Sequence, residues 1–354
     1  MSVVATVVWS AETLAHVPGA EIWIGVRTPG TEVPERVTVI RDELAAGGFP
    51  IVEAVPHGDE VLRAVHEPAF VDHLREVWQK WEDGGYPRDY GQDRVVPYVF
   101  PTEAMLAGMP AHHPVATHAR AGLYCYDTMT LVGPGTWQAA RAAVDAAQTA
   151  ADLVAAGERV AYALCRPPGH HATPAGYGGS CYLNNAAVAA QALRDHGFAK
   201  VAIIDVDAHH GNGTQAIFWE RPDVFYGSAH VDPGAGWFPH YVGFADEIGT
   251  GSGQGTTLNI PITPESGDAA WLSALTRLRD AAGMFGAEAV VVSLGVDAAA
   301  DDPESPLRVT TSGYHQTGTI IASLGIPIVA VQEGGYHLPS LGTLVAETLH
   351  GLAG

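Results

Sequence analysis

Residues 201–215 read VAIIDVDAHHGNGTQ, and the fold turns on how this stretch is read. Val201, Ala202, Ile203 and Ile204 form a continuously apolar run, the pattern of a strand in a parallel sheet covered on both faces. The chain then turns polar at Asp205, Asp207, His209 and His210, followed by Gly211-Asn212-Gly213. A carboxylate at the end of a core strand needs a strong partner, or it neutralises. Strand alternation puts Asp205, Asp207 and His209 on one face, so Asp207 and His209 suit one metal ion through oxygen and nitrogen. His210 has the opposite parity and reads as a structural hydrogen-bonding histidine.

Outward from this stretch, apolar strand-like runs fall at 3–9, 160–165, 200–206, 223–228, 256–262, 288–294 and 326–332. Helical patterns fall at 36–46, 68–82, 136–156, 184–196, 267–284, 312–323 and 339–351. The alternation predicts one α/β domain over 1–354, three-layered α/β/α with a mostly parallel central sheet. Segment 83–114, rich in Gly, Pro, Tyr and His, has weak periodicity and reads as a long inserted loop. Its His112-His113 pair reads as a surface pair with no role. The glycines of GTGSGQGTT (249–257) do not fit a dinucleotide loop and read as a loop where backbone comes close to something.

Four polar clusters follow predicted strands: LCRPPGHH, DVDAHHGNG, SLGVDAAADDP and VQEGGYH. Ligands of open α/β sheets bind outside the carboxyl ends of strands, so the four can converge on one site. Asp297, at the tip of VVVSLGVD, is the best candidate for a third metal ligand, leaving the open position a catalytic zinc keeps. Asp205 reads as a carboxylate that orients His170, with Asn212 doing the same for His171. Arg166-Pro167-Pro168-Gly169 makes a rigid lead into these two histidines. Tyr336, after Glu333-Gly334-Gly335, is either a core tyrosine or a phenol that donates to a developing oxyanion.

Composition narrows the classes. The net charge of −21, with 18 basic against 39 acidic residues and only two lysines (Lys80 and Lys200), excludes a nucleic-acid binder and would favour a cationic small molecule. The same acidity also serves plain solubility. No apolar run of about 18 residues predicts a membrane span. The N-terminal stretch reads as a first strand, not a signal peptide. Three scattered cysteines, Cys125, Cys165 and Cys181, predict a reducing, cytoplasmic setting without disulfides.

The motifs RPPGHH, GGSCYLNNAAVAAQ, IIDVDAHHGNGTQ, SLGVDAAADDP and QEGGYH, with VHEPAFVDHL, GPGTWQAA and GWFPHYVGFADE, resemble the zinc-dependent histone deacetylase superfamily. The likeness is greatest to the bacterial acetylpolyamine amidohydrolases and runs from about residue 60 to the end of the sequence. The resemblance implies the arginase–deacetylase fold and one catalytic Zn²⁺ on Asp207, His209 and Asp297; Fe²⁺ or Co²⁺ also suits such donors. It implies His170 and His171 as tandem catalytic histidines, backed by Asp205 and Asn212, and Tyr336 as the catalytic tyrosine. It further implies a structural K⁺ on Asp205, the carbonyls of Asp207 and His209, Ser228 and the carbonyl of Ala229. Gly179 would offer its carbonyl to the substrate amide, and Phe238 would form one tunnel wall. The reaction implied is hydrolysis of an N-acylated amine, with a small cationic amine as substrate and a homodimer built on the 83–114 insertion.

Two departures from that family stand out. Ser180 replaces an aromatic tunnel wall, and the loop glutamates expected to meet a polyamine are absent from PVATHARAGLYC, which offers His118, with Glu103 upstream as a substitute. Three other readings remain open at this level: a protein acetyl-lysine deacylase, a binuclear manganese ureohydrolase and a catalytically silent binding protein. His210-Gly211 directly after His209 does not supply the extra aspartate of the second. The full set of histidines, metal ligands and Tyr336 speaks against the third.

Overall fold

The computed structural model describes residues 4–354. Its strands are β1 (Thr6–Trp9), β2 (Glu21–Trp23), β3 (Val26–Thr28), β4 (Ile51–Glu53), β5 (Val160–Ala163), β6 (Val201–Asp205), β7 (Val224–Val231), β8 (Thr257–Ile262), β9 (Ala289–Leu294) and β10 (Ile328–Gln332). Eight of them form one sheet in the order β4-β1-β5-β10-β9-β6-β7-β8, and every pairing in it is parallel. β2 and β3 make a separate antiparallel ribbon.

The continuous apolar runs have a direct cause. Val201 and Ile203 join the core on one face of the sheet, while Ala202, Ile204 and Val206 join the core on the other. Helices cover both faces, so neither parity can be polar. The alanine-rich helix Thr136–Ala155 belongs to the first core, burying Ala143, Ala146, Ala147 and Ala150, as its small side chains allow.

The predicted strands and helices are present with ends shifted by a few residues. The expected strand at 3–9 is observed from Thr6, and its first residue lies outside the described residues. β7 runs on to Val231, past the expected end at 228. The ribbon β2–β3 and the edge strand β4 are too short to leave a period in the sequence. The insertion is not plain loop: it carries short helices at Tyr86–Tyr90 and Glu103–Leu106. In the glycine-rich segment, a side chain on Gly253 would meet the backbone of Glu220 and Arg221 at 2.6 and 2.7 Å, so what comes close there is the chain's own backbone.

The strand ends are joined by buried charge. Arg36, on the helix Glu35–Ala46, donates from Nε to the carbonyl of Gly335 (2.6 Å) and from Nη2 to that of Glu333 (2.6 Å). Its Nη1 reaches Glu32 at 3.0 Å, and Glu32 also takes Nη2 of Arg166 at 3.0 Å. The loops after β5 and β10 are thereby tied to one buried carboxylate between two guanidiniums. Removing that carboxylate leaves two buried charges unmatched, a defect of about 3–5 kcal/mol. Glu32→Ala is therefore expected to lower the urea midpoint of unfolding sharply; an unchanged midpoint would contradict this account of the two loops.

Candidate active site

The four polar clusters sit at the carboxyl ends of β5, β10, β9 and β6, which are consecutive neighbours in the sheet. This adjacency brings residues near 170, 207, 297 and 336 together. Asp207, His209 and Asp297 offer ligand atoms all within 4.8 Å of one another and could hold a metal ion. His209 Nδ1 lies 3.0 Å from Oδ2 of Asp297 and 3.3 Å from Oδ1 of Asp207. Backbone donors fix the carboxylates: Ala208 N–H to Asp297 (2.7 Å) and Gly334 N–H to Asp207 (2.7 Å). Only glycine fits at 334, because a Cβ there would lie 2.5 Å from an oxygen of each aspartate.

The electrostatics of the group suit a cation. Burial, then repulsion from Asp207, pushes the carboxyl of Asp297 up to about 7. Burial also works on Asp207, but His170 and His209 outweigh it and hold that carboxyl below its ordinary value. For His209, burial is overcome by hydrogen bonds to both aspartates, and the imidazole is raised. Two buried carboxylates sharing one imidazole suit a divalent ion, which supplies the charge that a single proton cannot.

The tandem histidines stand beside this group, their ring centroids 4.0 Å apart. His170 Nδ1 lies 3.1 Å from Oδ2 of Asp205, and His171 Nδ1 lies 2.8 Å from Oδ1 of Asn212. Their environments push them in opposite directions. Burial opposes charging His170, but Asp207 and Asp205 prevail and raise it to about 10. His171 is held well below its ordinary value by burial, then by His170 and His209. Tyr336 lines the inner chamber, with the Arg36 guanidinium 4.7 Å from its ring centre. Gly179, Ser180 and Phe238 line the same chamber, and the Phe238 ring stands edge-on to His171 at 4.8 Å. Asp205 and Ser228 are register partners across β6 and β7, with Ala229 buried beside them; the Ser228 hydroxyl lies 2.8 Å from His230 Nδ1.

Two expected substrate contacts lie elsewhere. His118 Nδ1 lies 2.6 Å from the Tyr86 hydroxyl and faces a separate cavity with Trp81, Tyr90 and Tyr98. Glu103 is exposed on its short helix and lines neither cavity at the site. The carboxylates at the mouth are instead Glu21, from the ribbon strand β2, with Asp127 and Glu304. They line a cavity of about 930 Å³ that shares His209 and Phe238 with the inner chamber. Burial, reinforced by Glu304 and Asp127, raises the Glu21 carboxyl to about 7.

Sequence reasoning also passed over four supporting groups. Glu333 accepts the N–H groups of Gly169 (2.7 Å) and His170 (3.1 Å). Asp302 accepts those of Tyr336 (2.7 Å) and His337 (3.2 Å). Asp127 accepts the N–H of Gly179 (2.6 Å), and Tyr126 donates to the carbonyl of His171 (2.8 Å). Glu333 carried a signal, a buried acid at the end of an apolar strand; Asp302, inside AAADDP, looked like a solvated pair. His210, buried, lies 3.1 Å from Oε1 of Gln215 and stays out of the group.

This all-parallel sheet with its strand-end site is the arginase–deacetylase architecture. The chain belongs to the histone deacetylase family: the family's Histone deacetylase domain matches residues 30–352. It is 42% identical to the acetylpolyamine amidohydrolase of Mycoplana ramosa over 335 residues, 94% of this chain and 95% of that one. It is 37% identical to acetylpolyamine amidohydrolase 1 of Pseudomonas aeruginosa over 98% of both chains. The crystal structure of an acetylpolyamine aminohydrolase from Burkholderia pseudomallei superposes with a TM-score of 0.91 at 37% identity, covering 98% of each chain. The family makes this chain an amidohydrolase of a generally metal-dependent class. No helix among the described residues is long and apolar enough to cross a membrane.

Proposed function

We propose that this enzyme hydrolyses the amide of an N-acetylated, or other short N-acylated, small cationic amine of the acetylpolyamine kind. The observation that carries this reading is the pairing of two features. An inner chamber lined by His171, His209, Gly179 and Tyr336 opens under a mouth lined by three carboxylates.

Asp207, His209 and Asp297 would hold a divalent ion, Zn²⁺ first, with Fe²⁺ or Co²⁺ accepted by the same donors. Such an ion supplies Lewis acidity toward an amide carbonyl and toward water. The rest falls to the chain's own groups. The Asn212 oxygen holds the His171 proton on Nδ1, which leaves Nε2 bare to take a proton from the attacking water. His171 or His170 returns a proton to the leaving nitrogen as the C–N bond breaks, giving a short carboxylic acid and a free amine. The Tyr336 hydroxyl donates to the oxygen that gains negative charge. The Gly179 carbonyl accepts the substrate N–H; the Ser180 N–H on the other side of that peptide unit donates to the Thr130 hydroxyl (2.9 Å), and Asp127 holds the Gly179 N–H. A K⁺ on Asp205, Ser228 and the carbonyls of Asp207, His209 and Ala229 would brace the end of β6.

Ser180 opposite Phe238 leaves one aromatic wall instead of two, which suits a flexible aliphatic amine. Glu21 and Glu304 take the role that the sequence offers to His118 and Glu103: they face the distal ammonium, while both oxygens of Asp127 are taken by donors from Gly179, Met129 and Thr130. The single catalytic domain spans the whole chain, and its insertion carries exposed Tyr90, Tyr98, Met105 and Met109. These apolar side chains support pairing of two copies through the insertion, which the mass in solution tests.

Turnover of acetylputrescine, acetylspermidine and an acetyl-lysine peptide should favour the acetylated amines. Tyr336→Phe should lower kcat about 10²–10³-fold with the metal content unchanged. Preference for the peptide, or full activity in the variant, would overturn the reading. The mouth makes a second prediction. The Glu21 carboxyl, at about 7, becomes charged as pH rises through that value. KM for a cationic substrate should therefore fall across pH 6–8, while KM for a neutral acylated amine of equal length stays flat. Glu21→Gln should flatten the cationic profile; an unchanged profile would remove Glu21 from recognition.

A further inference from the structure

Away from the active site, the helices Pro68–Asp83 and Thr117–Tyr124 enclose a cavity of about 330 Å³. Its charged walls are all basic: Lys80 and Arg120, with His73 and His113 beside them and no carboxylate lining it. That is unusual in a chain with 39 acidic residues against 18 basic. Two residues that line the cavity carry buried polar atoms with no hydrogen-bond partner among the described residues: Nε2 of His73 and Nε of Arg120. His73 is only 4% exposed, and its ring stacks on Tyr124 at 4.4 Å. The Arg120 guanidinium lies 6.0 Å from the Tyr124 ring centre. Buried polar groups are nearly always paired, so two unpaired ones on one cavity wall signal a missing partner.

The N-terminus of the helix Thr117–Tyr124 opens on the same cavity at Thr117 and has no side-chain cap. Helix N-termini carry partial positive charge and free N–H donors, which suit an anion. Lys80 is shared with Glu76, but Arg120 makes no ion pair among the described residues. Burial, then Arg120 and Lys80, lowers His73 to about 3, so that imidazole is neutral and both cations lie close enough to act on it. A cation is excluded by the lining, and a neutral ligand would leave Arg120 unmatched.

The geometry points to a small oxyanion, a phosphate or carboxylate group, bound between Arg120, Lys80, His73 and the N-terminus of the helix Thr117–Tyr124. This site is separate from the catalytic chamber and shares no residue with it.

Calorimetric titration of the metal-loaded enzyme with inorganic phosphate, and separately with acetate, tests the site and tells the two oxyanions apart. One of them should saturate a single site per chain. Loss of a charged hydrogen bond in Arg120→Gln should weaken that binding by about tenfold or more, and Lys80→Gln should weaken it less. Where phosphate is the saturating anion, it should leave hydrolysis of an acetylated amine uninhibited; acetate, a product of that reaction, is judged by the Arg120→Gln comparison alone. The assignment fails if neither anion saturates one site, if both variants bind as tightly as the unaltered chain, or if phosphate competes with substrate.

Discussion

Asp207 and Asp297 are buried side by side at the ends of neighbouring strands, and their mutual repulsion is the constraint around which the site is built. A hydrocarbon core does not tolerate two such groups without a counter-charge. Each detail near them serves that need. The N–H groups of Ala208 and Gly334 approach the two carboxylates, the His209 imidazole lies between them, and Gly334 keeps the space free of a side chain. The loop that supplies Gly334 also carries Tyr336, so the same contact that steadies a carboxylate sets the phenol's position.

A second layer of buried charge holds this arrangement from behind. Glu32 sits between Arg36 and Arg166, one reaching the loop after β10 and the other belonging to the loop after β5. Glu333 grips the backbone of Gly169 and His170, and Asp302 grips that of Tyr336. His170 and the tyrosine are thus positioned by acids on other elements, and His171 by Asn212 and Tyr126. The opposite electrostatic settings have different causes: Asp207 and Asp205 raise His170 against its burial, whereas burial and the neighbouring His170 and His209 lower His171.

Much of this was legible in the sequence for a physical reason. Strands buried on both faces must be apolar at both parities, so β6, β9 and β10 announce themselves as unbroken runs, and a sudden acid or histidine at their ends stands out. The group at 207, 209 and 297 could be gathered from that alone. The ribbon β2–β3 could not: three-residue strands with Trp23 and Val26 exposed, joined by an exposed Ile24, leave no pattern. Glu21 was missed with it, because its meaning comes from lying near Asp127 and Glu304, far away along the chain. His118 was placed at the mouth by likeness to relatives, whereas the helix it sits on turns it toward Tyr86. Asp302 and Asp127 act on backbone N–H groups, and such a role has no sequence period.

The central claim is that the two buried carboxylates and His209 exist to share one divalent ion. Anomalous X-ray diffraction from crystals of the purified chain, recorded at the absorption edge of the metal found by elemental analysis, tests it most directly. One full-occupancy ion per chain, in contact with Asp207, His209 and Asp297, is the predicted result. No stoichiometric metal, or an ion bound away from those three residues, would contradict it.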